Sequence, residues 1–514
     1  MKRFLVALAG AVAVAGVLAP VPAQAKESYV PISGAGSTWS QVAVDAWRAD
    51  VRASGVVVNF AGTGSTDGRS QFLQGTVDFA NSEIPFQNPP EPGQQAEVPD
   101  RDFAYLPIVA GGTSFMYNLT VGGQRVRDLR LSGPTLAKIF TGEITRWSDP
   151  DIKKDYGKAL PDIPIIPVVR SDGAGASAQF SLYMRSQANS IYCPFIREKL
   201  HLGGSDCPSV SFYPSFGSSK AQVGSNGVAN YVSASYGAGS IGYVEYAYAK
   251  RIDFPVVSLL NKAGYFAQPT AGNVAVALTK ATIKSDLTAD LTGVYNNPDP
   301  RTYPMSSYSY MIAPTSTDAP FNADKGKTLS TFINYFLCAG QQKADILGYS
   351  PLPENLVQAG FKQVLRIPGH VNPPSLSKCN NPALNILKTA PMPNKCDKYG
   401  APCTTTHSGD GDGTTSGTGG TGGSGDTGTT GTGGTGGTGG TGGAPGSVDP
   451  ITGAATGGAV DPATGATVAA TATPLTLTGG RDGQAKAAAW VAAIALALVV
   501  LVPPFLLRRS RARR

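Results

Sequence analysis

The sequence predicts an α/β fold for its central portion, because strand-like and helix-like patterns alternate along it. Three short apolar runs are typical of buried strands, at residues 56–60 (VVVNF), 105–109 (YLPIV) and 163–169 (IPIIPVV). Between such runs apolar residues recur at helical spacing, as in the set Trp39, Val42, Ala43, Ala46 and Trp47. This alternation favours a sheet covered by helices.

The first residues, 1–25, form a predicted secretory signal peptide. Lys2 and Arg3 precede an apolar run, and Ala-Gln-Ala stands directly before Lys26, as at a signal cleavage site. The first cysteine is Cys193, so the cleavage site is followed by no cysteine that a lipid could modify. We expect the mature chain to be exported, and either held at the surface by another means or released.

The C-terminal end contains a predicted membrane anchor. Residues 487–507 carry no charge and are long enough to span a bilayer. The five arginines within 508–514 should stay in the cytoplasm. Residues 404–486 are rich in Gly, Thr, Ser and Ala and should form a disordered tether. We expect a single-pass protein of the cell membrane, with an extracellular binding domain and a cytoplasmic tail.

The charge balance excludes nucleic acid as the expected partner. The formal net charge is +7, and the tail arginines with Lys2 and Arg3 supply seven positive charges. The exported part is therefore close to neutral and has no basic field for a phosphate backbone.

Six cysteines in an exported chain indicate disulfides rather than metal or redox chemistry. No CxxC spacing occurs, so no metal site is predicted. Proximity along the chain favours the pairs Cys193 with Cys207, Cys396 with Cys403 and, as the remainder, Cys338 with Cys379.

Catalytic and nucleotide-binding motifs are missing from the sequence. The three histidines, His201, His370 and His407, belong to no HExxH motif, and GxSxG does not occur. The glycine-rich turns fit neither GxGxxG nor a Walker A loop. We therefore expect neither an enzyme nor a cofactor.

Three turns of small residues enter predicted helices: residues 33–39 (SGAGSTW), 61–68 (AGTGSTDG) and 171–177 (SDGAGAS). A helix N-terminus offers unpaired N–H donors and the positive end of the helix dipole, so it suits an anion. Arg170 directly precedes the third turn and can hold an anion from the side. Together the turns predict an anion-binding site.

Four segments in this order and spacing resemble the phosphate-specific substrate-binding proteins of ABC transporters: GAGSTW, VNFAGTGSTDGRSQFLQGTVDFANSEIPF, VVRSDGAGAS and GSIGYVEYAYAKR. The resemblance covers about residues 32–365. It implies a type II periplasmic-binding-protein fold with two lobes joined by hinge strands. The first lobe would comprise 26–110 and 302–400, and the second 111–301. It also implies inorganic phosphate as ligand, and ABC permease subunits in the membrane as the partner.

The same resemblance implies that phosphate is bound by Thr38, Trp39, Ser65, Glu83, Arg170, Ala174, Gly175, Ala176 and Ser177, with Asp172 orienting Arg170. Backbone N–H groups at 38 and 39 and the hydroxyls of Thr38 and Ser65 would donate to phosphate oxygens. Arg170 would pair with the anion, and the turn at 174–177 would cap it.

The chain departs from the family at several of these positions. The family generally has an aspartate at Glu83, which accepts a hydrogen bond from protonated phosphate and repels sulfate. Glutamate is one methylene longer, so it must retract or the anion must shift. Ala174 and Ala176 replace Ser and Thr, which removes two donors worth about 1.5–3 kcal/mol each. Asp67 would add repulsion if it faced the pocket.

The predicted function is that of an extracytoplasmic solute-binding protein that captures inorganic phosphate and delivers it to an ABC permease. Two alternatives remain open. One is a surface-tethered binding module or sensor for a different oxyanion or phosphorylated ligand, not coupled to transport. The other is a surface hydrolase on the same fold, which would need a nucleophile or metal cluster that the sequence does not show.

Overall fold

The computed structural model of the protein describes residues 28–401. The predicted signal peptide, tether, membrane span and basic tail lie outside the described residues. Within residues 28–401, every helix is too short or too polar to cross a bilayer.

Strands and helices alternate along the described chain, as the sequence predicts. The strands are β1 (Ile32–Gly36), β2 (Val58–Gly62), β3 (Phe79–Ser82), β4 (Phe103–Tyr117), β5 (Thr120–Val121), β6 (Gln124–Arg125), β7 (Arg130–Leu131), β8 (Ile166–Arg170), β9 (Lys220–Gln222), β10 (Ser240–Glu245), β11 (Ser258–Leu260), β12 (Phe266–Ala267), β13 (Thr282–Ile283), β14 (Ala289–Asp290) and β15 (Ser306–Pro314). The helices are α1 (Gln41–Arg52), α2 (Ser65–Leu73), α3 (Gly133–Thr141), α4 (Pro150–Tyr156), α5 (Gly175–Gln187), α6 (Asn189–Lys199), α7 (Gly224–Ser233), α8 (Tyr246–Arg251), α9 (Ala271–Leu278), α10 (Thr292–Tyr295), α11 (Ala323–Leu337), α12 (Ala344–Leu347), α13 (Glu354–Val364) and α14 (Ala383–Thr389).

Eight of these strands form one mixed sheet, in the order β2-β1-β3-β15-β4-β10-β8-β9. One parallel group contains β1, β2 and β3, and a second contains β8, β9 and β10. The long strand β4 pairs antiparallel with β15 along its first part and with β10 along its last part. The two parallel groups are thus connected through β4 and β15.

The α/β class is confirmed, and the predicted elements are present with shifted ends. The strand expected at 56–60 is observed at Val58–Gly62, and that expected at 163–169 is observed at Ile166–Arg170. The strand β8 starts later because residues 163–165 bond to a different segment: Trp147 N–H donates to the Ile163 carbonyl and Ile165 N–H to the Thr145 carbonyl. The helix α5, which follows the third turn, has a buried apolar face made by Ala176, Phe180, Tyr183 and Met184.

Two of the three disulfide predictions are confirmed. Cys193 is bonded to Cys207, and Cys338 is bonded to Cys379. Cys403, the expected partner of Cys396, lies outside the described residues.

The last described segment, residues 383–400, is expected in the first lobe, and its contacts bear on that expectation. The helix α14 packs against α9, and Tyr399 N–H donates to the Gly264 carbonyl over 2.8 Å. Arg130 and Asp397 form an ion pair of 2.7 Å. The segment therefore contacts elements from the range 111–301.

Candidate anion-binding site

The predicted site residues follow the carboxyl ends of parallel strands. Residues 37–40 connect β1 to α1, α2 begins at Ser65 shortly after β2, and Glu83 directly follows β3. Arg170 ends β8, and α5 begins at Gly175. In open α/β sheets ligands bind outside the carboxyl ends of strands, so the topology gives these turns a common location.

Glu83 lies at the centre of the cluster and is only 1% exposed. Its Oε1 accepts hydrogen bonds from the hydroxyls of Ser37 and, over 2.9 Å, Ser309. Its Oε2 accepts from the Ser65 hydroxyl over 2.8 Å. Three buried hydroxyls therefore hold one carboxylate in a fixed position.

The absence of a side chain at Gly175 makes room for this longer carboxylate. A Cβ at position 175 would lie 2.5 Å from Glu83 Oε2 and 2.9 Å from Glu83 Cβ. Gly175 N–H also donates to Ser65 Oγ over 3.1 Å. The first residue of α5 thus contacts the carboxylate and its serine donor directly.

Burial sets the ionisation of this carboxyl group. Removal from water raises the pKa of Glu83 above its ordinary value of 4.5. The hydroxyls of Ser37, Ser65 and Ser309 and the charge of Arg170 act in the opposite direction but do not cancel the effect of burial. Glu83 therefore takes up a proton more readily than an exposed glutamate.

Arg170 and Asp172 form a buried ion pair beside the cluster. Arg170 Nε donates to Asp172 Oδ1 over 2.7 Å, and a terminal guanidinium nitrogen donates to Oδ2. Gly224 N–H donates to the same Oδ1 over 2.9 Å. Burial alone would raise the pKa of Asp172, but the Arg170 guanidinium and the backbone donors together outweigh it and hold the pKa below the ordinary value. The pair fixes the orientation of Arg170.

The remaining terminal nitrogen of Arg170 lies near a hydroxyl pair. It is 3.5 Å from Ser225 Oγ, and Ser225 Oγ is 3.2 Å from Thr38 Oγ1. Ser225 N–H also donates to Thr38 Oγ1 over 3.0 Å. The structure therefore brings Arg170 and Thr38 to the same serine hydroxyl.

Several backbone donors that we expected to reach an anion are bonded to protein groups. Trp39 N–H donates to Ser37 Oγ over 2.9 Å, and Ala174 N–H donates to the Ser211 carbonyl over 3.0 Å. The hydroxyl of Ser177 lies 2.7 Å from that of Tyr243. Ser65 is the first residue of α2 and Ala176 is the second of α5, positions at which N–H groups have no acceptor within the helix.

Asp67 does not face the site. It is exposed on α2 and accepts a hydrogen bond from the Gln71 side chain, one helical turn away. It therefore adds no negative charge to the buried cluster, and the condition under which it would repel an anion is not met.

Three serines of the cluster were missed from the sequence. Ser37 lies inside the first turn, and Ser225 lies in VGSNG, a fourth glycine-containing turn that enters a helix, so the same pattern could have identified both. Ser309 lies within β15, a strand with no local motif. Across residues 28–401, no three His, Cys, Asp or Glu side chains are grouped as a metal site would require.

Comparison with known proteins identifies the family. Residues 20–339 match the family model described as PBP superfamily domain. The phosphate-binding protein PstS of Xylella fastidiosa strain Temecula1 is 32% identical over 339 residues, covering 66% of this chain and 85% of that protein. The phosphate-binding protein PstS of Pasteurella multocida is 32% identical over 333 residues, covering 64% of this chain and 88% of that protein.

A mycobacterial relative and a solved structure are also similar. Phosphate-binding protein PstS 2 of Mycobacterium tuberculosis is 30% identical over 310 residues, covering 59% of this chain and 77% of that protein. The structure of a phosphate-binding protein from Stenotrophomonas maltophilia is 18% identical with a TM-score of 0.48, covering 68% of this chain and 98% of that chain. On its match to the family model and to its sequence relatives, this chain belongs to the PBP superfamily and, within it, to the family of phosphate-binding proteins PstS.

Proposed function

We propose that this chain is a solute-binding protein that captures inorganic phosphate outside the cytoplasm and delivers it to an ABC permease, without catalysing a reaction. The observation that carries the proposal is the buried Glu83 carboxylate, held by three serine hydroxyls close to Arg170. Its support from comparison is the match to relatives named phosphate-binding protein PstS over most of their length.

Glu83 gives the proposed site a means of distinguishing phosphate from sulfate. Phosphate keeps a P–OH group near neutral pH, and an ionised Glu83 can accept its proton in a charge-assisted hydrogen bond. Sulfate has no proton to offer, so two negative groups would face each other in a buried site. Selectivity then rests on a repulsive element as well as on attraction.

Binding would exchange protein–protein hydrogen bonds for bonds to the anion. Three expected phosphate donors contact neighbouring protein groups in this structure. They are the hydroxyls of Thr38 and Ser65 and the terminal nitrogen of Arg170 that faces Ser225. In the bound state they would donate to phosphate oxygens, joined by the backbone N–H groups of Gly175 and Ala176 at the start of α5. The N-termini of α2 and α5 would add their dipoles.

The type II fold with two lobes remains our proposal for how the site opens and closes. The division at 110/111 and at 301/302 is supported by the two parallel strand groups connected through β4 and β15. The packing of residues 383–400 favours placing that segment with the second lobe. Opening would then separate Thr38 and Ser65 from Ser225 and Gly175.

We also propose that the protein is anchored in the cell membrane through residues 487–507, with residues 404–486 as a tether. Its support is the uncharged span followed by arginines. Fractionation of cells that produce the chain with and without residues 487–514 tests the anchor. The full chain should be found with membranes and the truncated chain in the medium; membrane retention of both would contradict it.

A surface sensor not coupled to transport is the second candidate. The observation in its favour is the pair of buried methyl groups at Ala174 and Ala176, where the resembled family has hydroxyls. Uptake of radiolabelled phosphate by the native host, with the coding sequence deleted and then restored, separates the two functions. Restored uptake supports transport, whereas unchanged uptake together with phosphate binding by the purified protein supports the sensor.

A further inference from the structure

A long connection between β3 and β4, residues 86–101, is firmly attached at its base; we call it the strap. Arg69, which is 1% exposed, donates to both carboxylate oxygens of Glu97 over 2.7 and 3.0 Å. Gln87 N–H donates to Glu97 Oε2 over 2.8 Å, and Glu97 N–H returns a bond to the Gln87 carbonyl over 3.0 Å. These contacts join the two ends of the strap to each other and, through Glu97, to α2.

The middle of the strap contacts a segment that is distant in sequence, through the carboxylate of Glu91. Glu91 Oε2 accepts from Ser211 N–H over 2.7 Å, and Oε1 accepts from the Ser211 hydroxyl over 2.6 Å. Glu91 is 9% exposed and Ser211 is 1% exposed. Both carboxylate oxygens thus accept hydrogen bonds from a single residue, 120 positions away in sequence.

Ser211 connects this contact to the candidate site. Its carbonyl accepts from the N–H of Ala174 over 3.0 Å, and Ala174 is the residue that precedes α5. Its neighbour Val210 is fixed to α5 as well, because Val210 N–H donates to Ser181 Oγ over 3.1 Å. The carboxylate of Glu91 therefore acts on the turn 174–177 through a single intervening residue.

We propose that Glu91 is a positioning residue for phosphate binding. It holds Ser211, and through Ser211 the turn 174–177, close to the two first-lobe segments that carry Ser65 and Glu83. The proposal rests on the proposed function, in which these segments separate when the site opens. Opening would break two charge-assisted hydrogen bonds of Glu91 and return a buried carboxylate to water. The strap would therefore slow the release of phosphate.

This role also bears on the two alanines of the turn. A hydroxyl at position 174 or 176 would bind the anion directly, and the chain lacks both. A contact that stabilises the closed arrangement raises affinity without touching the ligand, because less of the binding free energy is spent on closing. Glu91 provides such a contact.

The test compares the full-length Glu91→Gln protein with wild type and with Asp100→Asn. Asp100 is an exposed carboxylate of the same strap, so its substitution removes the same charge without touching Ser211. Phosphate binding is followed by calorimetry and release by stopped-flow fluorescence. We expect Glu91→Gln to weaken phosphate binding at least about tenfold, through faster release, because both bonds to Ser211 lose their charge assistance. Asp100→Asn should match wild type.

A purely structural role would lower the melting temperature of the ligand-free protein and leave release unchanged, and that result would overturn the proposal. Hydrogen–deuterium exchange at Ala174 and Ser211 N–H supplies a readout that needs no ligand. Faster exchange at both in Glu91→Gln supports the proposal, and unchanged exchange rejects it. If wild type itself binds no phosphate, the proposed function fails, and exchange alone then decides whether Glu91 positions the turn.

Discussion

Ser65 Oγ lies 2.8 Å from Glu83 Oε2 and donates to it, and it accepts from Gly175 N–H over 3.1 Å. One hydroxyl thus links a helix start after β2, the end of β3 and the start of α5. We expect Ser65→Ala to weaken phosphate binding about ten- to a hundredfold, because it removes a donor to a charged group.

The same substitution should raise the pKa of Glu83 further, since one hydrogen bond that favours the charged form is lost. Calorimetry gives the affinity, with Ser70→Ala on the outer part of α2 as the control. Equal phosphate affinities for Ser65→Ala and wild type would remove Ser65 from the site.

Glu83→Gln should reduce the discrimination between phosphate and sulfate. The amide carries no charge, so the repulsion of sulfate is lost, whereas the amide oxygen can still accept from a P–OH group. We expect the ratio of sulfate to phosphate dissociation constants to fall about ten- to a hundredfold. Parallel titrations with both anions check this, and a ratio as large as that of wild type would contradict it.

Glu83 should also make the stability of the ligand-free protein depend on pH. Because burial raises its pKa in the folded state, folding favours the neutral acid. That stabilising contribution is complete below the ordinary pKa of 4.5 and is lost as pH rises through the folded value. The melting temperature of Glu83→Gln relative to wild type should therefore increase as pH rises from 4.5 through the folded pKa, and stay constant above it. A difference that stays constant with pH would count against a buried, titrating Glu83.

Asp172→Asn should leave an unpaired charge on Arg170, whose side chain is 2% exposed. Breaking one side of a buried ion pair costs about 3–5 kcal/mol. Phosphate would replace part of the lost charge, so it should raise the melting temperature of the variant more than that of wild type. Thermal unfolding with and without phosphate measures both effects. Asp67→Asn, an exposed carboxylate nearby, serves as the control and should change neither.

Gly175→Ala should disturb the carboxylate directly, because the added Cβ would lie 2.5 Å from Glu83 Oε2. Overpacking of this kind costs about 1–3 kcal/mol, and phosphate affinity should fall as Glu83 moves. Combining it with Glu83→Asp should restore part of the affinity, since the shorter side chain withdraws its oxygens. Rescue is expected to be partial, because Glu83 Cβ would still lie 2.9 Å from the new methyl group. Additive losses in the double variant would show that the two residues do not share this contact.

The elements that local patterns determine could be predicted from the sequence. The apolar runs that became β2 and β8 are each followed by small residues and a helix, and the start of α5 was expected in the right turn. Parallel pairing of β1 with β2 and β3 then brings Thr38, Ser65 and Glu83 to one edge.

The contacts that depend on distant pairing could not be predicted. Ser309 reaches Glu83 only because β15 pairs with β3, across 226 positions of sequence, and nothing in YSYMIAP indicates that pairing. Glu91 and Ser211 meet for the same kind of reason, through a connection without a motif. The contacts of residues 383–400 with α9 could not be predicted either, because the family resemblance ends at about residue 365, before that segment begins.

The measurement that tests the central claim most directly is calorimetric titration of the purified protein, stripped of bound anion, with phosphate and then with sulfate. A buried Glu83 beside Arg170 predicts saturable binding of phosphate at micromolar concentrations and no heat with sulfate. Heat with neither anion, or equal binding of both, would contradict the assignment of this cluster as a phosphate site.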